Sequence, residues 1–472
     1  MAMVSVGNSP KVCLICKAGK RKCDKALPTC SRCARLQIKC RYESTADAAA
    51  KSTSTPLRLV ILHCETWTSW ISVAYTSAQN DPGPYLQLAE TYFGTVDKWM
   101  PILDKDDVVE PLQEQSFSLD SKGFLLLMSV CLIVQRPDAQ PPDGEMASEH
   151  YDAVKHFFFR EHADTSHGPS LKLIQAGVLL ATYEYGHGMI DAAYNTIYAC
   201  ISASLTLGMH RSECLQSSQF DNNQRDQTQV LRTWWAIVIS ERILCLWNPK
   251  STRLPITRVR NELDYLSDLG ISESNAREDR TVPKGTSPGA NFYRQFQASI
   301  LIGRVIELTN DPEPASERIQ SRFKALDCQL QRAIQLNLGA ETKQLNSVSE
   351  ALAMNRSALV VLHQWQYHNS LTFNCSDEAD QSRMVTDSMT TIMVDTVHDF
   401  LPRIYAGWPK SHHPQGTQSV YQAALALLPL QGLRKSKADL EELKEMLGLQ
   451  SRRWAIAAKY LQMLNNSTLS QD

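Results

Sequence analysis

The sequence predicts a mainly α-helical chain made of a small cysteine-rich head and a large all-α body. Three observations carry that expectation. Apolar residues recur at helical spacing in one segment after another between residues 171 and 464. Period-2 alternation bounded by hairpin turns is scarce. Six of the thirteen cysteines lie within the first forty positions, while the other seven scatter over the rest. With 472 residues, 43% hydrophobic and 21% charged, the chain has material for a sizeable core beyond any small module. Collagen-like and wholly disordered classes are excluded.

The head comes first. Cys13-x2-Cys16-x6-Cys23-x6-Cys30-x2-Cys33-x6-Cys40 is one unit written twice, a CxxC pair followed by a cysteine seven positions on. The N-terminus lacks a charged start and an apolar stretch of about 7 to 15 residues, so no secretory signal is expected. Thiols this close in a reducing compartment read as metal ligands rather than disulfides. Coordination arithmetic then limits the site. One tetrahedral zinc would strand two thiolates, and two separate zincs would need eight. Two Zn(2+) ions sharing two sulfurs satisfy all six ligands, Cys13, Cys16, Cys23, Cys30, Cys33 and Cys40. The repeat makes the first cysteine of each unit, Cys13 and Cys30, the natural bridging pair. The segment has few apolar residues, so metal rather than a hydrophobic core must hold it folded.

Charge is split in the same place. Residues 1–43 carry ten Lys or Arg against Asp24 and Glu43, a net +8, whereas the remainder carries 38 basic and 48 acidic residues, a net −10. A small basic head on an acidic body is the balance of a nucleic-acid-binding module.

The connector follows. Residues 44–56 are small, polar and turn-prone. Residues 57–78 are apolar on all faces, with only Arg58 and Glu65 charged, so no a/d heptad with charged flanks can be written. The segment either packs into the body or is foreign to it, and dimerisation stays open at this point. The expected division is 1–43 head, 44–83 connector, 84–472 body.

In the body, Leu171, Ile174, Val178 and Leu179 share a helix face, as do Ile190, Tyr194, Ile197, Ile201 and Leu205, with Gly208 placed to end that helix. Val230, Trp234, Ile237 and Leu244 continue the pattern. Leu440, Leu443 and Leu447, then Trp454, Ala458, Leu461 and Leu464, read as two more amphipathic helices. Residues 272–289 read as a polar loop. Stacked helix pairs are the expected architecture. The longest apolar run, residues 124–134, is short of the ~18 to 20 residues that cross a bilayer, so no membrane partner is expected.

Catalysis finds no support in the body. Glu184 and His187 lack the second histidine of a zinc protease, and Gly186 and Gly188 would break its helix. His187 and His210 read as turn or cap residues. Pro283-Lys284-Gly285-Thr286 is not a phosphate-binding loop. Trp99, Trp234, Trp235, Trp247 and Trp454 read as helix-packing residues, and the scattered body cysteines as core thiols.

The stretch from Cys13 to Asp24, with Pro28 before Cys30 and Arg41-Tyr42 after Cys40, resembles the fungal zinc binuclear cluster DNA-binding domain. Residues 86–103, 175–211, Arg232-Thr233-Trp234-Trp235 and Glu241-Arg242 are similar to the regulatory middle region of fungal transcription factors. The resemblance implies that the first helix enters the major groove of double-stranded DNA and that Lys20 reads guanine in a CGG-type triplet. It further implies that Lys17, Arg21, Lys22, Lys39 and Arg41 hold phosphates. Gly19 departs from the Arg or Lys usual there, which removes one contact. The function so implied is a nuclear, non-enzymatic regulator of transcription by RNA polymerase II. It would act on a fungal metabolic or secondary-metabolite gene cluster with transcription coregulators as partners; the resemblance favours activation while leaving repression open, as it leaves open a homodimer with a second copy of the chain. The rival expectation is a zinc-containing scaffold whose head binds protein instead of DNA.

Overall fold

The computed structural model describes residues 12–13, 16–17, 21–36, 40, 67–113, 119–135, 149–164, 166–210, 224–246, 254–259, 288–311, 316–341, 350–372, 375–406, 413–428 and 434–469. The chain divides into two compact units, 1–61 and 62–472. Among its described residues the first has helical residues at Cys16 and Lys17, the short helix α1 (Ser31–Arg35), and a bridge residue at Ala26.

The regular secondary structure of the second unit is all helical among its described residues. In chain order it contains α2 (Trp67–Asn80), α3 (Gly83–Gly94), a 3-10 turn (Val96–Lys98), α4 (Lys105–Gln113), α5 (Ser121–Val134), α6 (Glu149–Ala163), α7 (Leu171–Gly186), α8 (Ile190–Thr206) and α9 (Gln224–Leu246). It continues with α10 (Pro288–Thr309), α11 (Glu317–Glu341), α12 (Glu350–Thr372), α13 (Ser376–Ala406), α14 (Gly416–Leu427), α15 (Arg434–Gln450) and α16 (Ala455–Leu469). No described helix is long and apolar enough to cross a membrane.

Two helices form the axes of this unit. α7 is surrounded by α5, α6, α8, α9 and α16, and α12 by α10, α11, α13 and α14, with α9 against α10 joining the two groups. Each axial helix is buried over a long unbroken run, residues 173–186 in α7 and 351–363 in α12. The sequence expectation of one apolar face on α7 therefore understates its burial. Gln175, Thr182 and Glu184 survive inside because each finds a partner. The Gln175 amide donates to the Ile102 carbonyl at 2.8 Å, Thr182 donates to Val178 O at 2.8 Å, and Glu184 accepts from Tyr151 at 2.8 Å and Lys155 at 2.9 Å.

Local signals explain where the helices begin and end. Asp120 and Ser170 cap α5 and α7 by accepting from the amides of Gly123 and Leu173. α7 stops at a Schellman turn, with His187 as its C-cap and Gly188 at φ 74, where Met189 N donates to Glu184 O and Gly188 N to Tyr185 O. α8 stops the same way at Gly208, φ 72, as its sequence predicts. The buried stripe of α8 differs from the expected one. Ala193, Ile197, Cys200, Ile201 and Ser204 face inward, Tyr194 is half-buried, and Leu205 is 44% exposed. Small residues win that face because α7 comes so close that a Cβ on Gly177 would lie 2.4 Å from Cys200 Sγ.

Residues 67–78, read in the sequence as part of an uncertain connector, are helical in α2 and pack on α6. Trp70 stacks on His150 at 5.0 Å, and Ala74 and Ala78 are buried. Residues 44–66 lie outside the described residues, as do the expected loop up to residue 287, Trp247, Cys64 and Cys214. Cys131, Cys200 and Cys245 are core thiols, whereas Cys328 and Cys375 are exposed, which corrects the expectation for those two. Cys328 lies on an exposed side of α11, and Cys375 lies in the connection just before α13.

Candidate metal centre and nucleic-acid interface

Among the described residues of the first unit, the buried cluster is made of sulfurs. Cys13, Cys16, Cys30 and Cys33 are fully buried, and Val12, Cys23 and Cys40 pack against them. The two CxxC pairs build the same local turn. Cys16 N donates to Cys13 Sγ at 3.4 Å and Lys17 N to Cys13 O at 2.9 Å. In the second half, Cys33 N donates to Cys30 Sγ at 3.5 Å and Ala34 N to Cys30 O at 2.9 Å. Cys30 is thereby the N-cap of α1, a thiol in the role usually filled by Ser or Asp.

The sulfurs form two overlapping sets of four. Cys13, Cys16, Cys23 and Cys30 make one, and Cys13, Cys30, Cys33 and Cys40 the other, with all four sulfurs of each set within 4.8 Å of one another. Cys13 and Cys30 belong to both. Their sulfurs are 3.7 Å apart, and Cys16 to Cys30 and Cys13 to Cys33 are each 3.8 Å. A disulfide would require ~2.05 Å. A tetrahedron with Zn–S near 2.3 Å has edges of about 3.8 Å, so the thiols stand where one ion per set fits.

Electrostatics point the same way. Burial drives the Cys13 thiol far above the usual thiol range and Cys33 up to about 12. The Cys33 amide lowers Cys30, and the Cys13 amide lowers Cys23. At Cys40 burial works upward and the Cys30 amide, 3.4 Å from its sulfur, works downward, for a net lowering. Neighbouring thiols of the cluster are thus pushed in opposite directions. A dication in each set would let all six ionise together.

Asp24, not singled out in the sequence, ties the halves together. Its carboxylate accepts from Ser31 N at 3.1 Å and from the Ser31 hydroxyl, which holds the acid below the ordinary carboxylate range. Its position directly after Cys23 was the available signal. Of the expected DNA contacts, Lys17, Arg21 and Lys22 are exposed, while Lys20, Lys39 and Arg41 lie outside the described residues. Arg35 on α1 is a further exposed cation of the head.

Two family models match the chain. The fungal Zn(2)-Cys(6) binuclear cluster domain covers residues 11–48, and the fungal specific transcription factor domain covers residues 89–278. Transcription factor BOA15 of Botryotinia fuckeliana is 28% identical over 125 residues, 26% of this chain and 67% of that protein. Regulator of drug sensitivity 1 of Saccharomyces cerevisiae is 54% identical over 39 residues, 8% of this chain and 5% of that protein. The matched domains are those of DNA-binding transcription regulators, and neither is catalytic. With one domain at the cysteine cluster and the other in the helical body, the chain has the architecture of the fungal zinc-cluster transcription factors.

Proposed function

We propose that this chain is a nuclear regulator of transcription by RNA polymerase II that reads a CGG-type half-site in double-stranded DNA. The observation that carries the reading is the pair of four-sulfur sets sharing Cys13 and Cys30. In this reading two zinc ions are held by Cys13, Cys16, Cys23, Cys30, Cys33 and Cys40, and supply positive charge that lets all six sulfurs ionise. The fold of residues 1–43 follows from that binding. Lys20 donates to guanine O6 and N7, while Lys17, Arg21, Lys22, Lys39 and Arg41 neutralise phosphates and set register. The acidic body, residues 84–472 together with α2, serves as the regulatory part and meets transcription coregulators. A second copy of the chain on a paired half-site and control of a metabolic or secondary-metabolite gene cluster complete the proposal.

Binding to duplexes at several salt concentrations tests it. The logarithm of affinity should fall linearly with the logarithm of salt, with a slope near −0.9 per phosphate neutralised. Lys20→Ala should relax the preference for CGG over scrambled DNA by ~1 to 3 kcal/mol, and Lys39→Ala should weaken both duplexes alike. A flat salt response would instead favour a head that binds protein. Equal losses on both duplexes for both variants would remove the assigned roles.

A further inference from the structure

Ser31 sits where the two sulfur sets meet. It is exposed, it follows the shared cysteine Cys30, and it opens α1, which carries Cys33. Its partner Asp24 directly follows Cys23, which belongs to the first set alone. The Ser31 amide stands 3.1 Å from both Asp24 oxygens, and the Ser31 hydroxyl donates to one of them. Backbone and side chain of one residue therefore staple the end of the first set to the start of the second.

A phosphate on that hydroxyl would reverse the sign of the contact. Phosphoserine carries about −1.5 to −2 charges at pH 7, and the proton that Asp24 accepts is gone. The amide bond keeps residue 31 beside the carboxylate, so a change of side-chain rotamer moves the phosphate by far less than the Debye length of about 8 Å at physiological salt. Repulsion therefore persists in every rotamer that leaves the amide bond intact. Lys22, Lys25, Arg32 and Arg35 bracket Ser31 in the chain and complement the acidic substrate groove of a basophilic serine kinase. Coulomb energy falls with distance, and the group in contact with the hydroxyl is Asp24.

We propose that Ser31 is a phosphorylation site for a serine kinase directed to basic surroundings, and that the phosphate opens the Asp24 staple and loosens the metal centre. In the transfer, Ser31 Oγ attacks the γ-phosphorus of ATP. The new O–P bond forms as the bond from that phosphorus to the β,γ-bridging oxygen breaks, the hydroxyl proton passes to the catalytic base of the kinase, and ADP leaves. The staple joins Cys23 to Cys30 and Cys33 through their chain neighbours, so its loss is felt in both sulfur sets. This inference rests on the two-zinc reading and is independent of DNA recognition.

Full-length protein would be incubated with ATP and the catalytic domain of protein kinase C, and the modified residue located by mass spectrometry. Phosphate at Ser31 is expected, and its absence there overturns the assignment. Full-length protein with genetically encoded phosphoserine at residue 31 would then be challenged with the chelator 4-(2-pyridylazo)resorcinol, whose colour reports released zinc. It should surrender zinc at least ~tenfold faster than the unaltered chain, whereas Ser31→Ala, which keeps the amide bond, should differ by less than about threefold. In an Asp24→Asn background the phosphate should matter by less than about threefold, because the repelling charge is gone. Raising salt from about 0.05 to 0.5 M should also shrink its effect, which decides the matter if the Asn variant holds no zinc. A phosphorylated chain that keeps zinc as firmly as the unaltered one, or a phosphate effect indifferent to both Asp24→Asn and salt, would overturn this inference and leave the metal reading standing. An unaltered chain that holds no zinc would sink both.

Discussion

Cys13 and Cys30 stand in equivalent positions of the two halves of the head, each accepting from the amide three residues on and each belonging to both sulfur sets. Losing a shared ligand should therefore cost more metal than losing an unshared one. Cys30→Ala is expected to release both zinc ions and Cys23→Ala to leave one bound more weakly, measured as zinc per chain after dialysis; equal loss in both would contradict bridging. His187 shows a different residue-scale effect. Burial, reinforced by the Arg453 charge, pulls its imidazole down to about 3, against ~6.5 when free. The folded chain keeps it neutral while the unfolded chain takes up a proton, so stability is complete above about pH 6.5 and falls as pH drops toward 3. His150, lowered by burial to about 4, acts in the same direction, and Asp97, raised by burial to about 6, offsets part of the loss. Comparing urea unfolding at pH 7 and pH 5, His187→Phe should lose ~2 kcal/mol less than the unaltered chain. Identical losses would place the acid sensitivity elsewhere. The sulfur set was legible from spacing, because ligand count and tetrahedral geometry are local rules. The neutrality of His187 was not, because it depends on Tyr183 and Trp454, whose rings lie 4.2 and 5.7 Å away and one of which is more than 260 residues distant in sequence.

Between elements, the Glu241-Arg242 pair on α9 clamps a non-helical strap, residues 254–259. Glu241 accepts from Ile256 N at 2.7 Å, from Thr257 N at 3.3 Å and from the Thr257 hydroxyl. Arg242 donates to Thr257 O at 2.8 Å and to its hydroxyl oxygen at 3.0 Å, and is itself 2.5 Å from Glu241. Both charged side chains are buried. Gly303 on α10 makes room for the guanidinium, since a Cβ there would sit 2.7 Å from Arg242 Nε. Arg242→Leu leaves a buried carboxylate uncompensated and should cost ~3 to 5 kcal/mol. The double variant Glu241→Gln/Arg242→Leu should cost clearly less, and a cycle of denaturation midpoints in which the losses simply add would refute the clamp. The sequence placed this pair in a family-like helix but said nothing of its partner, because a strap with Leu254 and Ile256 about half exposed has no apolar periodicity to announce it. α7 and α8 were legible as helices, their ends through Gly188 and Gly208. Their buried faces were not, since close approach at Gly177 favours small residues over the large ones that periodicity counts.

At the scale of the whole chain, the second unit is held by apolar burial, whereas the buried cluster described in the first is made of sulfurs poised to chelate metal. Chelation of the full-length protein should unfold residues 1–61 and abolish binding to duplex DNA, while the helical circular-dichroism signal and the main melting transition stay unchanged. A body that melts with the metal would mean the two units are one cooperative system. Cysteine spacing, charge asymmetry and helical periodicity by themselves determined that a head of six clustered thiols precedes an all-α body. They could do so because ligand number, net charge and a 3.6-residue repeat are properties of neighbouring positions. Only the folded chain decided that α2 belongs with the body and that Glu241 and Arg242 hold residues 254–259. Those contacts join residues well separated along the chain, and their energies depend on shape and desolvation that no local pattern encodes.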